Sequence, residues 1–216
     1  MSELRALIVD YGGVLTSSLQ DTMTAWCDAD SIDYEDFRAA MKDWLGTPSD
    51  GQAVTNPVHA LERGEIEVAD FERELAARLT THDGRPVEAE GLLARMFTGF
   101  SPQPPIAQAV RLAKQAGVTT GLLSNSWGND YPREGWTEMF DDVVISGEVG
   151  IRKPDPEIFT LAAQRLGMAP AQCVFVDDLA PNVRGAVEVG MVGVHHVTPE
   201  QTLDELEALF GIPLRG

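Results

Sequence analysis

The sequence predicts an α/β protein, a doubly wound parallel sheet into which a helical block is inserted. Three observations lead to it. Short apolar runs recur along the 216-residue chain without the alternation of a half-solvated sheet, and such runs form strands buried on both faces. The later runs are separated by stretches with helical periodicity and helix punctuation, the rhythm of a parallel sheet with crossover helices. From about residue 16 to residue 100 that rhythm stops, and only helical patterns remain.

Ala6-Leu7-Ile8-Val9 is the first strand. The helical block follows, clearest over Ile66-Glu67-Val68-Ala69-Asp70-Phe71 and on through Leu75 and Leu79. It reads as a cap at residues 16–100, leaving residues 1–15 and 101–216 as a Rossmann-like core. Pro104-Pro105 opens a helix with Ile106, Val110 and Ala113 on one side and Gly117 at its end. Thr120-Gly121-Leu122-Leu123 and Val143-Val144-Ile145 are the second and third strands. Asp155-Pro156 caps a helix carrying Ile158, Phe159 and Ala162, which Gly167 stops. Val174-Phe175-Val176 and Gly193-Val194-His195-His196-Val197 complete the sheet. Thr198-Pro199 then starts a helix through Leu203, Leu206 and Phe210, ended by Gly211.

Lys and Arg total 16 against 34 Asp and Glu, a net charge of −18. That field opposes nucleic acid and anionic membranes, so a phosphorylated ligand needs a local cation. The opening MSELRALIVDYGG reads as neither a signal peptide nor a membrane span. Cys27 and Cys173 stand far apart, outside any CxxC pattern, and read as small buried apolar residues. These features point to the cytoplasm.

In an open α/β sheet, ligands bind beyond the carboxyl ends of the strands. Asp10 follows the first strand, Ser124 and Asn125 the second, and Asp177 and Asp178 the fourth; a loop after the third leads to Arg152-Lys153-Pro154. Adjacent carboxylates repel unless a cation or donor cluster offsets them. Hard oxygen ligands of this kind suit Mg²⁺. A carboxylate beside that ion can attack phosphorus, while a hydroxyl, an amide and a lysine bind the phosphoryl oxygens.

At these residues the chain resembles the haloacid dehalogenase superfamily. Leu7-Ile8-Val9-Asp10-Tyr11-Gly12-Gly13-Val14-Leu15 is similar to its first motif and Leu122-Leu123-Ser124-Asn125 to its second. Gly150-Ile151-Arg152-Lys153-Pro154-Asp155-Pro156-Glu157-Ile158-Phe159 and Val174-Phe175-Val176-Asp177-Asp178-Leu179-Ala180-Pro181-Asn182 are similar to the third and fourth. The resemblance implies a phosphatase with Asp10 as nucleophile and Ser124, Asn125 and Lys153 on the phosphate. Asp10, the carbonyl of Gly12 and Asp178 would hold Mg²⁺, with Asp177 in the ion's near shell and Asn182 in place of a frequent outer carboxylate. Leu61-Glu62-Arg63-Gly64-Glu65-Ile66 followed by Phe71 is typical of the family's first cap type. The Asp-Asp-x-x-x-Asn form and the Arg-Lys-Pro run lean toward the subgroup that includes the N-terminal phosphatase domain of soluble epoxide hydrolase.

One position departs from that pattern. Most phosphatases of the family carry an acid–base Asp two residues after the nucleophile, and here Gly12 stands there. Two other readings therefore stay open: a 2-haloacid dehalogenase, whose leaving halide needs no proton, and a non-catalytic protein that binds Mg²⁺ and a phosphorylated ligand. The expected partner is a small phosphorylated metabolite; its identity and the oligomeric state are not legible in the sequence. Among other residues, Trp127, Tyr131 and Trp136 read as packing beneath the second-motif loop more than as pocket wall, and Trp26 and Trp44 as cap core. Arg63 reads as a surface ion-pair partner, His59 and His82 as surface residues, and His195 and His196 as satisfied or partly exposed histidines.

Overall fold

The computed structural model describes residues 3–45, 56–128 and 130–215. Five parallel strands, β1 (Ala6–Val9), β2 (Thr119–Ser124), β3 (Asp142–Ile145), β4 (Cys173–Asp177) and β5 (Val192–His195), lie in the order β3-β2-β1-β4-β5. The chain winds outward from β1 to β3, then crosses to the far side of β1 for β4, so the direction reverses beside the central strand. Every residue of β1 and of β4 is buried, as continuous apolar runs demand. The last strand stops at His195; His196 and Val197 lie beyond it, although the apolar run continues through them.

Between residues 16 and 100, five helices lie among the described residues: α1 (Leu19–Ala29), α2 (Tyr34–Leu45), α3 (Pro57–Glu62), α4 (Val68–Ala76) and α5 (Leu92–Phe97). Among the described residues this stretch contributes no strand to the sheet, only isolated bridges. Trp26, Phe37, Trp44, Phe71 and Leu75 give these helices an apolar cluster of their own. Trp26 and Trp44 are thus core residues of the helical block. Arg63 pairs with Glu65 at 2.7 Å.

The sheet is covered on both faces by α6 (Pro104–Gln115), the four-residue α7 (Trp136–Met139) and α8 (Ser146–Val149), α9 (Pro156–Arg165), α10 (Ala180–Glu188) and α11 (Pro199–Phe210). Thr198 accepts a hydrogen bond from the Gln201 amide, the expected N-cap, and Gly211 ends α11 with a φ of 67°. Asp155 occupies the N-cap position of α9 but makes no side-chain capping bond. The segment from β3 to Lys153, read from sequence as a loop, contains α8. No helix among the described residues is long and apolar enough to cross a membrane.

Candidate active site

The reversal in strand order leaves a crevice at the carboxyl edge of β1 and β4, and Asp10 stands in it. Its amide donates to the Val176 carbonyl at 2.9 Å, which extends the β1–β4 pairing by one residue. The chain then turns: the Leu15 amide returns to the Tyr11 carbonyl, and Thr16 Oγ1 accepts from the Gly13 amide at 3.2 Å. Gly13 has a φ of 77°, and a Cβ there would overlap the Asp178 carboxylate. Glycine at 13 therefore lets the β1 loop close on the end of β4. Gly12 differs: its φ is not positive, and an added Cβ would meet no atom within 4 Å.

Lys153 joins the strand ends. Its ammonium lies 2.8 Å from Asp10 Oδ1 and 2.7 Å from Asp177 Oδ2, and donates to the Leu123 carbonyl at 3.0 Å. Three donors meet three acceptors, so the lysine acts on any further group through its charge. Asp177 is just as fully engaged: Asn182 Nδ2 reaches both carboxylate oxygens at 3.0 and 3.1 Å, and the Leu179 amide donates to Oδ1 at 2.8 Å. Asn125 is tied by its side chain to the Lys153 backbone, donating from Nδ2 to the carbonyl at 3.0 Å and accepting at Oδ1 from the amide at 2.8 Å.

Asp10, Asp177 and Asp178 each place one carboxylate oxygen so that all three lie within 4.8 Å of one another. This all-oxygen set fits a small hard cation. Burial, with Asp177 and Asp178 nearby, raises the Asp10 carboxyl to about 7 even though Lys153 pulls the other way. Asp178, half-buried, is raised to about 6 by burial and by Asp177. Burial works against the Lys153 ammonium, but Asp10 and Asp177 outweigh it, and its pKa is raised. Crowded carboxylates with raised pKa values are what a bound divalent ion would relieve.

Ser124 Oγ lies 2.9 Å from Tyr131 OH. Burial pushes the Tyr131 phenol far up, so it stays protonated; either hydroxyl can donate in this contact. Tyr131 and Trp136 belong to the edge-packed aromatic group with Tyr11 and also line the cavity above Asp10, as does Trp127. Tyr131 and Trp136 show the packing expected of them, Trp127 packs instead on Phe71 of the helical block, and all three wall the pocket. His195, exposed, donates to the Asp178 carbonyl at 2.9 Å; His196, buried, bonds Thr202 at 2.8 Å. His59 is half-buried and His82 exposed.

The cavity has a volume of about 590 Å³ and is roofed by Leu19, Glu62 and Phe97 of the helical block. Glu62 is the feature that sequence reasoning passed over. Buried at the end of α3, it pairs with Arg152 of the core and accepts from Trp127 Nε1 at 3.2 Å. Burial raises its pKa despite Arg152. Its partners stand 90 and 65 residues away, and no local pattern could announce them.

Carboxylates ending β1 and β4, with a lysine carried between them from the loop after β3, define a Rossmann-like α/β enzyme frame. The chain belongs to the haloacid dehalogenase-like hydrolases: the model of that family matches residues 4–190. Acyl-CoA dehydrogenase family member 10 of Mus musculus is 31% identical over 97% of this chain, and the chain spans 19% of that protein. A sesquiterpene phosphatase of Aspergillus oryzae is 30% identical, over 96% of this chain and 97% of its own. Bifunctional epoxide hydrolase 2 of Sus scrofa is 26% identical over 98% of this chain, which spans 40% of that protein. Among solved structures, a haloacid dehalogenase family enzyme of Bacteroides thetaiotaomicron, in complex with magnesium and inorganic phosphate, shares the fold. Its TM-score is 0.65 at 18% identity, covering 90% of this chain and 94% of that one.

Proposed function

We propose that this protein is a cytoplasmic, Mg²⁺-dependent phosphatase that hydrolyses a small phosphomonoester through a phosphorylated Asp10. The observation that carries this reading is the arrangement of Asp10 and Asp178 with the fully paired Lys153, all on one sheet edge beneath a closed-over cavity. Asp10, Asp178 and the Gly12 carbonyl would hold the ion; Asp177, spent on Lys153 and Asn182, supports from the near shell. When bound, Mg²⁺ supplies positive charge against the phosphoryl oxygens and keeps Asp10 ionised.

The chain does the rest. Lys153 fixes Asp10 through Oδ1 and holds its own charge beside the reacting group. An Asp10 oxygen forms a bond to phosphorus as the ester oxygen leaves. Ser124, its hydroxyl accepting from Tyr131, donates to a phosphoryl oxygen, and the backbone amide of Asn125 adds a second donor. Water then attacks the phosphorus of the aspartyl-phosphate, releasing phosphate and restoring Asp10. Gly12 supplies no proton to the leaving group and no base to the water, so aryl and acyl phosphates should outpace alkyl phosphates. In this reading residues 16–100 are the cap that selects substrate and residues 1–15 and 101–216 the catalytic core.

Hydrolysis of an aryl phosphate, followed with Mg²⁺ and with chelator, tests the proposal. Turnover that chelator abolishes and Mg²⁺ restores is expected, with rapid quench showing a burst of phosphorylated enzyme. Release of halide from 2-haloacids in chelator, with no phosphate ester hydrolysed, would replace this reading by the dehalogenase. Tight binding of phosphorylated compounds without turnover would replace it by the non-catalytic one.

A further inference from the structure

The catalytic cavity does not end at the phosphate. It extends along α6, where Ala107 and Arg111, one helical turn apart, both line it. That helix begins beside the Asp10 turn, since the Gln103 amide donates to Leu15, and it ends beside the start of β1, where Thr119 donates to Arg5. Arg111 thus lies about 10 Å along the helix from the carboxyl edge of the sheet. Helical side chains lean toward the helix N-terminus, which here means toward that edge. Leu15, Phe97, Phe100 and Met139 give the same cavity apolar wall.

Arg111 is also unusual in its charge environment. The other cations of the cavity are committed, Arg152 to Glu62 and Lys153 to Asp10 and Asp177. Arg111 forms no ion pair and no side-chain hydrogen bond among the described residues, although acids outnumber bases by 34 to 16 and Asp130 and Glu134 line the same cavity. Half-buried in a cavity that also has apolar wall, it is a cation without an assigned anion.

We infer that Arg111 selects a substrate with two anionic ends: a phosphomonoester at Asp10, an apolar body, and a terminal carboxylate held by the guanidinium. A singly charged, planar carboxylate matches one guanidinium bidentately, and the nearby Asp130 and Glu134 disfavour a second, doubly charged phosphate. The inference rests on the phosphatase reading for the chemistry at Asp10, but binding can be read separately from turnover.

Octylphosphonate and its ω-carboxylated counterpart, neither of them hydrolysable, are titrated calorimetrically into the Mg²⁺-loaded protein. The carboxylated compound should bind tighter by about tenfold or more, the worth of a charge-assisted hydrogen bond in a partly buried site. Arg111→Gln should bring that ratio to one, and Arg111→Glu should reverse it in favour of an ω-ammonium octylphosphonate. Equal binding of the two compounds to the parent protein, or a ratio that survives Arg111→Gln, overturns the inference. Hydrolysis of an aryl phosphate with Mg²⁺ is measured in parallel: absence of turnover with the binding preference intact removes the phosphatase reading and leaves Arg111 as an anion selector.

Discussion

The proposed catalytic edge and the helical block bury their side chains in opposite ways. At the edge Asp10, Lys153, Asp177 and Asn182 are all less than a tenth exposed, and each depends on another for its charge or its hydrogen bonds. The helical block instead buries Trp26, Phe37, Trp44, Phe71 and Leu75 against one another. Its two buried acids among the described residues stay at the margins: Glu72 accepts from the Gly91 and Leu93 amides, and Glu62 faces the core. Desolvating charges costs about as much as pairing them returns, so the edge adds little to stability, whereas apolar burial is a net gain. Substitutions at the edge should therefore move activity, and substitutions in the helical block should move stability.

Asp10→Asn gives the largest contrast. Hydrolysis should fall to background while the melting temperature stays level or rises, since one of three crowded carboxylates is neutralised. Substantial activity in a pure sample would remove Asp10 from the chemistry. The same pair of proteins sharpens the point with pH, in chelator. A neutral Asp10 contributes stability that is fully present below its unfolded value of 3.8 and gone above its folded value of about 7. Denaturant titrations should therefore show the parent losing stability relative to Asp10→Asn as pH rises from 4 to 7, and no further relative change above that.

Phe71→Ala lies at the other pole. It is fully buried between Trp44 and Trp127, and its loss should cost about 3–5 kcal/mol of unfolding free energy. If activity vanished at temperatures where the variant remained folded, the separation of roles between the two regions would be wrong. Gly12→Asp tests the edge for a gain. With a backbone that tolerates a side chain and open space for Cβ, the new carboxylate should speed breakdown of the phosphorylated enzyme by about 10²-fold, the lower end of acid–base assistance. An unchanged burst and steady rate would mean that another group already supplies the proton. The smallest effect is expected far from both regions: Thr198→Ala removes the N-cap of α11 and should cost about 1 kcal/mol with kcat untouched.

What could be read from the sequence was whatever the chain writes locally. The strands were legible because both faces are buried and the runs are apolar throughout, and the site residues at strand ends came with them. The reading overran at His196-Val197: the His196 amide still donates to the Asp177 carbonyl, but the strand itself ends at His195. The helices α7 and α8 are four residues each, too short to show a period. α10 carries Pro181 near its start and Gly185 within it, a residue that discourages a helical reading yet is needed because a Cβ would strike Pro154 and Phe159. Glu62, Arg111 and the Ser124–Tyr131 contact could not be read, because each acquires its meaning from residues brought near only by folding.

The side chain of Asn125 has a consequence of that kind. By giving one bond to the Lys153 backbone and taking one from it, it reproduces with a side chain the two-way exchange by which neighbouring strands recognise each other. The Ser124 end of β2 and the lysine loop are thereby laced together across 28 residues of chain, and they must shift as one body. Replacing Asn125 with Asp would change a single atom, turning a donor into a second acceptor set against the Lys153 carbonyl. The lacing would open on that side, and Lys153 would lose its aim on Asp10 although nothing in the lysine itself had changed.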